Sequence, residues 1–255
     1  MARIKGKSLC VFSAKGGVGK SITALNIAGV LAKQNNRVLI IDLDTTAGSI
    51  ATYLNTPFEK TIYNFVDDYT NNRYEHINNY VTKYHDNLYF ISSCKDPRQG
   101  SKIEANAIEI ILEKATYEYD YIIIDTNHVL NEFNVTLLDK VDETLLIVSN
   151  DLLDLKNMRN LITIFKSANK ENYKVLLNNA LNPYKKYYSL YDIKSIIRHN
   201  VDYYLDDTFF IKSMDQYVAD GKIVTMNPKM PKLYPKASKT FLAIAEELKE
   251  KSNEK

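Results

Sequence analysis

Ser13-Ala14-Lys15-Gly16-Gly17-Val18-Gly19-Lys20-Ser21 lies between a short apolar run, Leu9 to Phe12, and a helix-like run, Ile22 to Lys33. Three of the chain's eight glycines fall within these nine positions. Glycine adopts positive φ freely and lets the backbone come close to a ligand, so the cluster reads as a loop built around something. A strand, such a loop and a helix, in that order, aim successive backbone N–H groups and a helix N-terminus at one point, which suits phosphate. Lys20 would reach the β- and γ-phosphates, and the Ser21 hydroxyl would ligate Mg²⁺. The stretch therefore predicts a phosphate-binding loop. Its candidate nucleotide contacts are Lys15, Gly16, Gly17, Val18, Gly19, Lys20, Ser21 and Ile22.

Further along the chain, acids close two apolar runs. Asp42 and Asp44 end Val38-Leu39-Ile40-Ile41-Asp42-Leu43-Asp44, and residues at i and i+2 point the same way where a strand leaves a sheet. A carboxylate there can order Mg²⁺-bound water or an attacking water, which phosphoryl transfer needs more than it needs covalent chemistry. Asp125 ends Tyr121-Ile122-Ile123-Ile124-Asp125 and reads as a Walker B acid holding Mg²⁺ through water. Ser21, Asp44 and Asp125 are thus the candidate metal residues. Asn178 ends Val175-Leu176-Leu177-Asn178, and its amide offers the donor and acceptor that an adenine edge requires.

Leu88–Ile91 and Thr144–Val148 add two more apolar runs, and several of the runs lack strict alternation, as strands buried on both faces do. Helical patterns cover about Ile103 to Ala115, Leu152 to Ser167 and Lys236 to Glu250. Strands alternating with helices predict an α/β fold, a doubly wound, mostly parallel sheet flanked by helices, with ligands bound beyond the strands' C-terminal ends. Residues 55–87, rich in Asn, Tyr and Asp, read as short helices and loops covering one edge.

At 255 residues, 45% hydrophobic and 25% charged, the composition is that of a globular protein, expected to form a single domain over 1–255. The net charge of +2 does not mark a polyanion binder as a whole. Yet residues 174–240 carry eleven Lys and Arg against six Asp and Glu, whereas residues 1–173 carry nineteen against twenty-one. Cys10 and Cys94 are too few and too far apart for a disulfide framework or metal site, which fits a reducing cytosol. No apolar stretch approaches eighteen residues, and the N-terminus lacks a signal-peptide core. A cytoplasmic protein is expected.

The loop departs from the common pattern in having Ala14 where a first glycine stands and a second lysine, Lys15, beside it. That arrangement, KGGVGKS at 15–21, resembles the deviant Walker A motif of the MinD/ParA superfamily of P-loop ATPases. The resemblance runs from there to Phe210–Val224, which is similar to the conserved tail of these ATPases. It implies ATP and Mg²⁺ as cofactors, an ATP-dependent homodimer, and ATP hydrolysis in which Lys15, Lys20 and Asp44 act. Lys15 would cross the dimer interface to the partner's γ-phosphate. Asp44 would orient or activate the water, Asp42 would support it, and Asn178 would meet the base. Members often follow the Walker B Asp-Thr with two prolines; Asn127 and His128 stand there instead, which bears on turnover more than on binding. A lone loop histidine is usually structural.

Three branches are weighed. A MinD-type protein would end in a basic amphipathic membrane helix, but Phe241 to Glu250 mixes acids and bases and nothing follows beyond Lys255, so no direct membrane anchor is expected. A ParA-type partition ATPase would bind DNA nonspecifically, with Lys185, Lys186, Lys194 and Arg198 as phosphate contacts and Tyr184, Tyr187 and Tyr188 between them. The CpaE/TadZ-like branch positions a pilus-assembly machine through a partner protein. The run from Asp125 to Asn150, lacking the prolines, looks more like that branch, although its members' N-terminal receiver-like domain is absent here. A scaffold that binds ATP with little turnover is the further alternative. A bacterial tyrosine kinase is disfavoured, because no tyrosine follows Tyr234.

Overall fold

Along β1 (Lys7–Phe12), Leu9 and Val11 enter one hydrophobic core while Cys10 and Phe12 enter another. Side chains of a strand alternate between faces, so a run apolar at every position is one covered on both sides. The computed structural model describes residues 5–181 and 187–253. Seven further strands follow: β2 (Val38–Asp42), β3 (Thr82–His85), β4 (Leu88–Ile91), β5 (Tyr121–Asp125), β6 (Glu143–Val148), β7 (Tyr173–Asn178) and β8 (Tyr203–Leu205). They form one sheet in the order β3-β4-β2-β5-β1-β6-β7-β8. Every pairing is parallel except β3 with β4. The expected doubly wound, mostly parallel sheet is what the chain builds.

The helices in chain order are α1 (Lys20–Lys33), α2 (Ile50–Tyr53), α3 (Ile62–Thr70), α4 (Pro97–Gly100), α5 (Ala107–Glu118), α6 (Glu132–Lys140), α7 (Leu152–Ser167), α8 (Leu190–Ile197), α9 (Met214–Ala219), α10 (Met230–Leu233) and α11 (Pro235–Asn253). Helix α1 packs on α11, whose Phe241, Ile244, Ala245 and Leu248 are buried. The final helix is thus a core element, as its mixed charge suggested. Buried Asn26 fixes α1 further, since its side-chain oxygen accepts from Thr225 N at 2.9 Å and its backbone carbonyl from Thr225 Oγ1 at 2.8 Å. Among the described residues, no helix is long and apolar enough to cross a membrane.

Register places the site. Asp42 lies opposite Asp125, and Asp125 opposite Val11, so β1, β2 and β5 end together at one rim. Parallel strands leave their ligand-binding loops at that C-terminal rim.

Two strands were not foreseen. β3 falls within 55–87; its burial alternates half-buried and exposed, and four residues of that kind carry little apolar signal. β8 has only three residues. The remainder of 55–87 does form short elements over the sheet edge. Thr61 caps α3 through a reciprocal capping box with Asn64. The tyrosines pack together: the Tyr74 and Tyr80 rings both meet Phe65 edge-on at 5.4 Å. The helix expected from Ile103 begins instead at Ala107, because Ile103 is buried from a turn in which its N–H bonds Gly100 O.

Candidate nucleotide site

Residues 13–19 join the end of β1 to α1. Gly17 and Gly19 have φ of 74° and 94°, the left-handed region that side chains disfavour, and this curls the loop. Gly19 is the N-cap of α1 and gives it no side-chain cap, and no acid occupies the helix's first turn. The first N–H groups of a helix have no intrahelical partner, so an uncapped, acid-free start inside a curled loop is an anion cradle.

Lys20 projects into this region. It is buried, and its Nζ donates to Ser13 Oγ at 3.0 Å, while Ser13 Oγ donates to Lys15 O at 2.6 Å. Burial lowers the Lys20 pKa, and Asp125, Asp44 and Asp154 act to keep it charged. Ser21 Oγ accepts from Ser49 Oγ at 3.0 Å.

The three acids divide by how they are partnered. Buried Asp42 accepts from Asp44 N at 3.1 Å and Ile50 N at 3.0 Å; it holds the turn and caps α2, a supporting part. Asp44 Oδ1 accepts from Thr46 N, Thr46 Oγ1 and Ala47 N at 2.8–3.2 Å, while its Oδ2 has no protein hydrogen bond among the described residues. Asp125 is 1% exposed, and neither carboxylate oxygen makes a well-formed hydrogen bond among the described residues, although the Ser21 hydroxyl lies close by. Burial pushes its pKa up to about 6, against the pull of the Ser21 hydroxyl and the Lys20 ammonium.

A buried carboxylate without well-formed hydrogen bonds is costly unless something pairs with it. A hydroxyl and carboxylates beside a phosphate cradle are hard oxygen donors, and they fit Mg²⁺, which takes few protein ligands and shares its shell with phosphate and water. Among the described residues, no group of three or more His, Cys, Asp and Glu could hold a metal alone. The nucleotide would have to complete the shell. Asp125→Asn tests this fit. Because the folded pKa lies above the ordinary 3.8, ionised Asp125 costs the ligand-free fold stability above about pH 6, and that cost fades as pH falls toward 4. At pH 7.5 the variant should melt no lower than wild type without ligand, yet lose the extra thermal shift that Mg²⁺ adds to ATP. A preserved Mg²⁺ increment in thermal-shift assays would move the metal site elsewhere.

Lys15 points to its own chain. Its Nζ pairs with Asp151 Oδ1 at 3.1 Å, with the two side chains 41% and 42% exposed. Asp151 also caps α7 by accepting from Asp154 N at 3.1 Å. An ion pair this exposed contributes under about 1 kcal/mol, so Lys15 can exchange it for a stronger anion.

On the other side of the loop, a cleft of about 130 Å³ is lined by Ile22, Leu181, Phe209, Phe210 and Met214 among others. Its apolar walls suit a flat base. Asn178 sits at its edge, donating to Val18 O at 3.0 Å and accepting from Ala180 N at 3.1 Å. One N–H and one lone pair of the amide remain for a ligand.

The chain is similar to known proteins over most of its length. A family model described as an AAA domain matches residues 6–182. The septum site-determining protein MinD of Bacillus subtilis (strain 168) is 22% identical over 229 residues, 88% of this chain and 84% of that protein. The chromosome-partitioning ATPase Soj of Treponema pallidum (strain Nichols) is 25% identical over 237 residues, 89% and 85% of the two chains. The solved structure of septum site-determining MinD complexed with Mg-ADP, from Pyrococcus horikoshii OT3, superposes with a TM-score of 0.77 at 16% identity, covering 95% of this chain and 96% of that one. The chain belongs to the MinD/ParA superfamily of P-loop ATPases.

Within this superfamily member, the segment after Asp125 is built from amides. Asn134 Nδ2 donates to Asn127 Oδ1 and to Val129 O, both at 2.7 Å, and Asn127 Oδ1 also accepts from Val129 N at 2.9 Å. The clamp does with hydrogen bonds what a rigid proline pair does with rings, fixing the turn. Sequence reasoning missed Ser13, Asp151 and Asn134. Only Asp151 carried a signal, as the cap of the Asp151-Leu-Leu-Asp154 pattern that opens α7.

Proposed function

We propose that this chain is a cytoplasmic, Mg²⁺·ATP-dependent dimerising ATPase switch that positions a cellular assembly through a partner protein. The observation that carries the reading is Asp125, a buried carboxylate whose oxygens make no well-formed hydrogen bond among the described residues, beside Lys20 and Ser21 under an uncapped helix start. The P. horikoshii MinD complexed with Mg-ADP supports the choice of ligand. ATP phosphates fill the loop, Lys20 neutralises them, and Asn178 and the apolar cleft take the base. Mg²⁺ withdraws charge from the phosphoryl group when bound. Asp44 orients the water through its free Oδ2.

The surface around the loop supports the dimer reading. Val129 and Leu130 follow His128, Leu152 and Leu153 follow Asp151, and all four are exposed, Leu153 at 67%. Apolar side chains gathered at a site mouth favour burial against a partner. A second copy would offer its nucleotide's γ-phosphate to Lys15, which leaves Asp151 for it. Lys15→Ala is therefore expected to bind ATP within a few-fold of wild type while remaining monomeric by light scattering. A normal ATP dimer of this variant would remove Lys15 from the mechanism.

A DNA-partition reading has its own support in Soj and in the basic excess of residues 174–240. Lys194 lies on α8 and exposed Arg198 closes it, and Tyr187 is exposed, whereas Tyr188 is half-buried against the core; Tyr184, Lys185 and Lys186 lie outside the described residues. Salt-sensitive binding of duplex DNA by the ATP dimer would select partition, because phosphate contacts release counterions. A dimer indifferent to DNA would select pilus-type positioning or a slow-turnover scaffold.

A further inference from the structure

His128 lies over the phosphate loop. A Cβ built on Gly16 would come within 3.3 Å of its ring atoms Cε1 and Nδ1, closer than side chains normally tolerate. Gly16 does not have positive φ, so what a side chain would meet there is the close approach of this ring rather than backbone strain. The backbone on either side of His128 is held in place, which sets its Cα over the loop. Its neighbours Asn127 and Val129 are bound by Asn134, and Asn131 caps α6 by accepting from Asn134 N at 3.0 Å. The imidazole itself is solvent-exposed, and neither nitrogen has a hydrogen-bond partner among the described residues. An exposed ring with unused nitrogens, carried on a held backbone over a cradle of N–H groups, can reach whatever anion the cradle holds.

We propose that His128 is the residue through which this chain distinguishes ATP from ADP, by donating a ring N–H to the terminal phosphate. The inference rests on the nucleotide reading above and adds a specificity determinant to it. Lys20 acts at the back of the loop, where it is buried. His128 closes the open side, over the glycine next to Lys15, where the last phosphate of the longer nucleotide would lie. ADP would leave the ring unpaired, at no cost, because the ring is already in water. Its contribution is then confined to the triphosphate.

The test compares wild type with His128→Ala and His128→Gln for binding of a slowly hydrolysed ATP analogue and of ADP, each with Mg²⁺. A hydrogen bond to a charged group corresponds to about a tenfold affinity change or somewhat more. His128→Ala should lose about that factor for the ATP analogue and none for ADP, and His128→Gln, which keeps a donor, should recover part of the loss. Equal losses for both nucleotides would make His128 a packing residue, and an unchanged pair of affinities would give it no role; either result overturns the proposal. Wild type binding neither nucleotide would overturn the nucleotide reading along with it. Unchanged melting of the ligand-free variants separates the effect from misfolding.

Discussion

Lys20→Ala is expected to bind neither ATP nor ADP measurably, with affinity falling by about a hundredfold or more, because a buried ammonium-to-phosphate contact is among the strong hydrogen bonds. The lysine has no other structural duty of comparable weight. Its hydrogen bond is to the Ser13 side chain, so the variant should fold, and ligand-free melting checks that it does. Its environment explains the size of the effect. Burial disfavours the charge, Asp125 and Asp44 restore it, and a phosphate would meet an ammonium already stripped of water. Fluorescent-nucleotide titration reads the result. Tight ATP binding by Lys20→Ala would remove the loop from the site.

The second large effect concerns turnover. Asp44 uses Oδ1 to hold Thr46 and Ala47 and leaves Oδ2 free, so truncation to alanine would lose both the turn and the charge. Asparagine separates them, since its oxygen can still accept all three bonds. Asp44→Asn should bind ATP as wild type does and hydrolyse it about a hundredfold more slowly, the scale of a positioned general base or water-orienting group. Phosphate release under saturating ATP measures this. Unchanged turnover would shift the role to another group, for which exposed His128 over Gly16 is a candidate.

What was legible in the chain follows how local each requirement is. Gly17 and Gly19 are dictated by their own φ, and Asp42 and Asp125 by strands apolar at every position, so loop, acids and parallel sheet could all be read directly. The edge strands β3 and β8 were not legible, because four half-exposed residues and three residues carry too little period. Pairings between distant segments were equally silent. Lys15 and Asp151 are 136 positions apart, and nothing near either names the other. His128 looked like a lone loop histidine until the fold set it over Gly16. Asn178 reads as a base contact from its place at a strand end; its bonds to Val18 and Ala180 add the task of tying the loop to β7.

Molar mass by light scattering, for wild type and Asp44→Asn with Mg²⁺ and either ATP or ADP, bears most directly on the switch. The account predicts a dimer with ATP and a monomer with ADP, and for Asp44→Asn a dimer that persists for as long as ATP remains bound. A monomer under every condition, from protein shown to bind ATP, would contradict it.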